Sequence, residues 1–223
     1  MNSKSGRIAR WAKLNAVNEV KDEGLKVKDV FFTVDIKKDA AATTGVQQTV
    51  NSLVQGDDYQ ERIGTEVQWH TMWINVAFTT NVGVAQTNID LARVLIVLDH
   101  QPNPGGTMPS WQDVITDTQG NSDSTTWQNW QNRHRFTILE DILYQLPPTS
   151  GTTANWGNIN ISGTENSNMI RKRIDLRGLT TTWFQASGFI ATNAIYVMWQ
   201  GQILAASNPA YKIHCRTRLT YNE

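Results

Sequence analysis

The feature that most restricts how this chain can fold is the succession of short apolar or alternating runs that begins at Val27 and continues to Tyr221. Each run is rich in Val, Ile, Thr, Trp and Tyr, and clusters of Gly, Asn, Ser, Asp and Pro separate it from the next. Period-two patterning between turn-forming residues predicts strands. Read this way, the strands are Val27 to Ile36, Thr44 to Val54, Glu66 to Thr79, Ala92 to His100, Phe136 to Leu146, Ile170 to Arg177, Ala194 to Ile203 and Tyr211 to Tyr221. Parallel strands need crossover helices, and no helical pattern alternates with these runs. The expectation is a two-sheet antiparallel sandwich. With 223 residues, 39% of them apolar, the chain can bury a core large enough for residues 27–223 to form one domain. No internal repeat is present.

Residues 1–26 read differently. Between Ser3 and Glu23, Ile8, Ala12, Ala16 and Val20 recur every fourth position, a helical spacing, and Arg7, Arg10 and Lys13 lie on another face. This weakly basic arm is a candidate for contact with nucleic acid, because mobile cations reach phosphates without a shaped site. Its candidate residues are Lys4, Arg7, Arg10, Lys13 and Trp11, the last able to stack on an unpaired base. The alternative is an ordinary amphipathic or disordered lead-in.

Charge restricts partners further. Twenty basic residues balance twenty acidic ones, so no net field steers the whole molecule toward a polyanion, and any such contact must be local. Arg216 and Arg218 share one face of the last strand, and Arg171, Arg173 and Arg177 can project from one side of the sixth. With Arg133 and Arg135, Arg216 and Arg218 are expected to form a basic strip. The alternative is solvated strand faces with weak surface ion pairs.

Two connections are long and polar, Gln101 to Arg133 and Pro147 to Asn168, and loops of that length usually make contacts or carry function. Trp111, Trp127, Trp130 and Trp156 lie in or beside them and are the candidate subunit-interface residues, since large aromatics dominate buried contact energy between proteins. Trp69 and Trp73, four positions apart on one strand, are expected on one face, in the core.

Chemistry-bearing patterns are sparse. His70, His100, His134 and His214 show no metal-ligand spacing, no nucleophile motif occurs, and Glu140 and Asp141 are neighbours that point to opposite faces of a strand. An enzyme is not expected, and no cofactor. Asp57, Asp58 and Asp99 offer hard oxygen ligands to calcium, but turn formation and strand-end capping account for aspartates at such places. The single cysteine, Cys215, excludes an intrachain disulfide and fits an intracellular folding compartment. No run approaches the length of a membrane-spanning helix, and no membrane insertion is expected. The Asn160-Ile-Ser162 sequon stands alone as a hint of secretion.

Four stretches carry a family resemblance. Gly56-Asp57-Asp58-Tyr59-Gln60-Glu61-Arg62-Ile63-Gly64 is a turn before a long strand. Ala92 to Asn103, followed by Trp111, Asp113 and Val114, is a buried strand leaving into a proline-containing loop. Arg135-Phe136-Thr137-Ile138-Leu139-Glu140-Asp141 is a basic-aromatic strand start, and Arg216 to Tyr221 is a closing strand. In this order and spacing they resemble the capsid proteins of circular Rep-encoding single-stranded DNA viruses, the circovirus-like group, and more distantly the coat proteins of small satellite RNA viruses. The resemblance implies an eight-stranded jelly roll that assembles with itself into a T=1 icosahedral shell of about sixty copies. It also implies an interior-facing arm, an enclosed single-stranded genome, most readily circular DNA, and an unknown host receptor. The place implied is the virion, with assembly inside the host cell and the nucleus as a candidate site. The chain departs from the group in lacking a dense arginine-rich arm. A jelly-roll lectin, its exposed tryptophans stacked on sugar rings, is the competing reading.

Overall fold

The computed structural model describes residues 25–36, 47–56, 58, 60–80, 85–86, 90–146, 149–150, 169–184, 188–201 and 211–223. The helical segment expected between Ser3 and Glu23 lies outside them. The described elements are β1 (Lys26–Ile36), β2 (Gln47–Thr49), β3 (Glu66–Thr80), β4 (Ala85–Gln86), β5 (Asp90–Asp99), α1 (Trp111–Val114), β6 (Phe136–Leu146), β7 (Thr149–Ser150), β8 (Met169–Trp183), β9 (Ile190–Thr192), β10 (Ala194–Gly201) and β11 (Tyr211–Asn222). Each of the eight expected runs contains a strand.

All pairings between these strands are antiparallel. One sheet has the order β1-β11-β3-β8-β9 and the other β2-β10-β5-β6, with β4-β7 as a small separate ladder. Counting only the eight expected runs, the first pairs with the eighth, the second with the seventh, the third with the sixth and the fourth with the fifth. That nested pairing, a long antiparallel ribbon wound over two facing sheets, is the jelly roll.

Side-chain alternation explains why the sheets face each other as they do. In β11, Tyr211, Ile213, Cys215, Thr217, Leu219 and Tyr221 are buried while the residues between them are not. Phe32 of β1 stacks on Trp199 of β10 across the interior, ring centroids 5.2 Å apart, and Phe78 of β3 stacks on Tyr144 of β6 at 4.4 Å. A polar pin closes one end of the sandwich. Asn51 accepts from Ile195 N at 2.8 Å and donates to Thr181 Oγ1 and Asn193 O at 3.0 and 2.9 Å, so the buried amide is bonded on both its oxygen and its nitrogen.

The second sheet is buried on both faces: every residue of β10 and Ala92, Val94, Leu95, Ile96, Val97 and Leu98 of β5. Because Trp199 and its partner Val94 point inward, Leu95, Val97, Tyr196 and Met198 point away from the first sheet. The connection after β5 is therefore a folded cover and not an open loop. Arg93 reaches from β5 to Ser124 O and Thr126 O at 3.3 and 2.5 Å. Arg135 forks onto both oxygens of the fully buried Asp99 at 2.9 and 2.8 Å. Ser110 and Asp113 form a reciprocal cap on the single turn of α1. Trp111, Val114 and Ile115 from this segment are completely buried in the core cluster.

Two sequence expectations fail here. Trp111 is core and so is not a subunit contact. Trp69 and Trp73 do not share an environment: Trp69 is 1% exposed and Trp73 39%. The cause is a bulge, since β3 and β8 lose register between Trp69 and Thr71, and one extra residue turns every later side chain to the other face. On β8 the same irregularity falls between Asp175 and Leu179, where Gly178 takes a φ of +88°, open to glycine at no steric cost.

The turn from Gln55 to Gly64 is tied to the chain's last residues. Tyr221 Oη donates to Glu61 O at 3.0 Å, and Glu223 accepts from Ile63 N at 2.7 Å.

Candidate nucleic-acid interface

The outward face of the first sheet gathers four of the predicted arginines. Register places Arg173, Trp73, Arg218 and Asp29 side by side in one row across β8, β3, β11 and β1. The next row, two residues along, holds Arg171, Asn75, Arg216 and Phe31. Residues directly opposite in antiparallel pairs point the same way, so these eight side chains share one surface. A groove of about 880 Å³ lies over it, lined among others by Asp29, Phe31, Trp73, Asn75, Arg171 and Arg216.

Local sequence explains the arrangement. Two neighbouring strand residues cannot both face the core, so in Phe31-Phe32 one ring enters the interior and the other, 57% exposed, stays outside. The bulge turns Trp73 outward onto the same face. Arg216 lies over the Phe31 ring at 5.0 Å and Arg173 over Trp73 at 5.7 Å. Each such contact is worth about 0.5–1 kcal/mol at an exposed site, so folding gains little from them.

Arg218 is held differently. It grips both oxygens of Asp29 at 2.8 and 2.7 Å, and that hydrogen bonding lowers the Asp29 carboxyl below its ordinary value and raises Arg218. The pair is half exposed and screened by solvent. Arg171, Arg173 and Arg216 are exposed and make no ion pair among the described residues. Beside the grid His214 accepts or donates to Thr33 and Thr79 at 2.9 Å, and burial and Lys212 lower its pKa.

Other predicted residues go elsewhere. Arg135 is spent on Asp99, and Arg133 lies over Trp130 at 3.8 Å. Both belong to the approach to β6 in the other sheet, so the strip expected to join them to Arg216 and Arg218 does not form. Arg177 folds back on Asp175. Trp127 and Trp130 are 83% and 72% exposed, on the outside of the covering segment. Lys4, Arg7, Arg10, Trp11, Lys13 and Trp156 lie outside the described residues, as does Asp57. Asp58 lies in the turn, its N–H donating to Glu61 Oε2 at 3.2 Å, and Asp99 is engaged by Arg135. Among the described residues no group of three or more His, Cys, Asp or Glu side chains is placed to hold a metal ion, and no helix is long and apolar enough to cross a membrane.

Sequence reasoning missed Phe31, Trp73 and Asn75. The adjacent phenylalanines were a legible signal; the bulge that exposes Trp73 was not.

The family model for Satellite tobacco necrosis virus coat protein matches residues 3–176, well over half of the chain and including three of the four stretches that carried the resemblance. The match falls on the satellite-virus coat proteins, the more distant of the two groups named from the sequence, and not on the capsid proteins of circular DNA viruses. No curated protein matches the chain.

Proposed function

The chain belongs to the Satellite tobacco necrosis virus coat protein family, and from that premise we propose that about sixty copies close into a T=1 icosahedral shell around single-stranded RNA. The family is structural and not enzymatic, and its place is the virion. The observation that carries the finer reading is the nested pairing of eight strands over two sheets, the architecture shared by many small viral shells. Such a unit presents rigid flanks and connecting segments to its neighbours, and closed symmetry satisfies the same contacts in every copy.

RNA replaces DNA in this reading because the family match favours the satellite branch. The nuclear site of assembly rested on the DNA branch and falls with it. One jelly-roll domain over residues 27–223 and a separate arm over 1–26 remain within the proposal. The arginine face of the first sheet is assigned to the interior, where it meets phosphate. Trp127 and Trp130, far more exposed than single surface aromatics need be, are assigned to contacts between copies.

Negative-stain electron microscopy of the purified full-length protein, read beside its 260/280 nm absorbance, tests the assembly. Uniform closed particles with a nucleic-acid spectrum are expected. A monomer that persists across salt and pH, and binds glycans, would return the sugar-binding alternative.

A further inference from the structure

We infer that the eight-residue face over β8, β3, β11 and β1 is a binding site for unpaired nucleotides of a single strand, with bases stacked at Trp73 and Phe31 and phosphates held by Arg171, Arg173 and Arg216. The inference rests on the reading that the chain encloses nucleic acid and adds the mode by which it does so.

Charge complementarity selects the occupant. Four guanidinium groups face one carboxylate within two adjacent rows, on a molecule whose overall charge is zero. Three of the four make no ion pair among the described residues, so an incoming phosphate need not break one to reach them. A cation patch of this kind on an otherwise neutral chain is suited to a polyanion held locally.

The rings select a single strand over a duplex. Arginine against an aromatic face builds a layered platform onto which a further π-system can stack, and stacking tolerates any base. Bases paired in a duplex keep their faces covered, and double-stranded RNA offers proteins mainly its backbone and shallow groove. Trp73 and Phe31 lie two strands and one row apart, a diagonal of roughly 12 Å from strand spacing and rise. Non-adjacent bases of one extended strand therefore occupy them. Asn75, between Arg171 and Arg216 in the row of Phe31, offers both donor and acceptor to a base edge.

Asp29 acts as a restraint within the site. While it holds Arg218, that cation is not free for phosphate.

The test uses the full chain and fluorescence anisotropy with short labelled oligouridine, the matching DNA strand and an RNA duplex, across salt concentrations. Trp73→Leu and Phe31→Leu are each expected to weaken single-strand binding about tenfold and to leave duplex binding unchanged. Replacing Arg171, Arg173 and Arg216 by Gln should flatten the log K against log salt slope by about 2, and Asp29→Asn should steepen it by about 0.7. Loss on the RNA strand, on the DNA strand or on both supports the site and reports which backbone it accepts. Single-strand binding by the two aromatic variants equal to the parent's, or an equal loss on the duplex, would overturn it. Photo-crosslinking of the unaltered protein to iodouridine strands guards against a misfolded variant: adducts at Trp73 or Phe31 support the site, and adducts elsewhere only overturn it. Failure of the shell reading looks different, since the parent protein would then form no particles at all.

Discussion

Trp69 donates its indole N–H to Thr181 Oγ1 at 2.7 Å inside the sandwich. The same oxygen accepts from Asn51 and donates to Asn193 O at 2.8 Å, so one hydroxyl joins β3, β8 and the entry to β10.

Thr181→Val keeps the shape and removes the hydroxyl, leaving the Trp69 donor and one Asn51 donor facing an apolar methyl. A buried unmatched polar group costs about 1–3 kcal/mol, so urea denaturation should show a loss of about 2 kcal/mol or more. A loss near zero would mean that the network carries no stability.

Asp99 is fully buried and accepts two hydrogen bonds from Arg135, its one ion-pair partner among the described residues, and a third from Gln101 N at 3.0 Å. Arg135→Ala strands that charge in the core, and breaking such a pair costs about 3 kcal/mol. Arg135→Lys retains the charge but not the two-pronged geometry and should fall between. Equal stability of the Ala and Lys variants would show that the fork contributes nothing beyond charge.

Trp111 and Trp127 belong to the same covering segment and should respond in opposite ways. Trp111 is completely buried, and Trp111→Ala should cost about 3–5 kcal/mol of folding stability. Trp127→Ala and Trp130→Ala should stay within about 0.5 kcal/mol of the parent in the unassembled state, yet reduce particle yield under the electron microscope. Normal particle yield from the double variant would remove this pair from the contacts between copies.

Burial raises the Cys215 thiol from 9.0 to about 12, and burial likewise raises Tyr221 and Tyr196 from 10.0 to about 12. Each of these groups is neutral when protonated, and folding favours that form. Its stabilising share is complete below the unfolded value and drains away as pH rises from about 9 toward 12, where the unfolded chain ionises and the folded one does not. Each group alone steepens the alkaline limb by about 1.4 kcal/mol per pH unit. Cys215→Val should make stability less sensitive to pH between 9 and 10, where the thiol titrates ahead of the tyrosines. In the native state Cys215 should resist thiol reagents at pH 8 and react on unfolding; rapid native labelling would contradict its burial.

The sequence alone located a strand in each of the eight expected runs, though not the short β4, β7 and β9, because alternation and turn residues are local properties of a chain whose every strand must hide one side. Phe136 to Leu146 is legible to the residue for that reason. It also determined that Arg216 and Arg218 share a face, since two positions along a strand is one full repeat. What it did not determine is which strands lie beside one another. Arg171, Arg173, Arg216 and Arg218 meet only because β3 pairs with both β8 and β11. Trp73 joins them only because a bulge near Trp69 inverts the alternation, and Trp111 leaves the surface only because the second sheet needs its outer face covered. Register, bulges and long connections are set by packing between distant segments, and that free energy belongs to the folded chain as a whole.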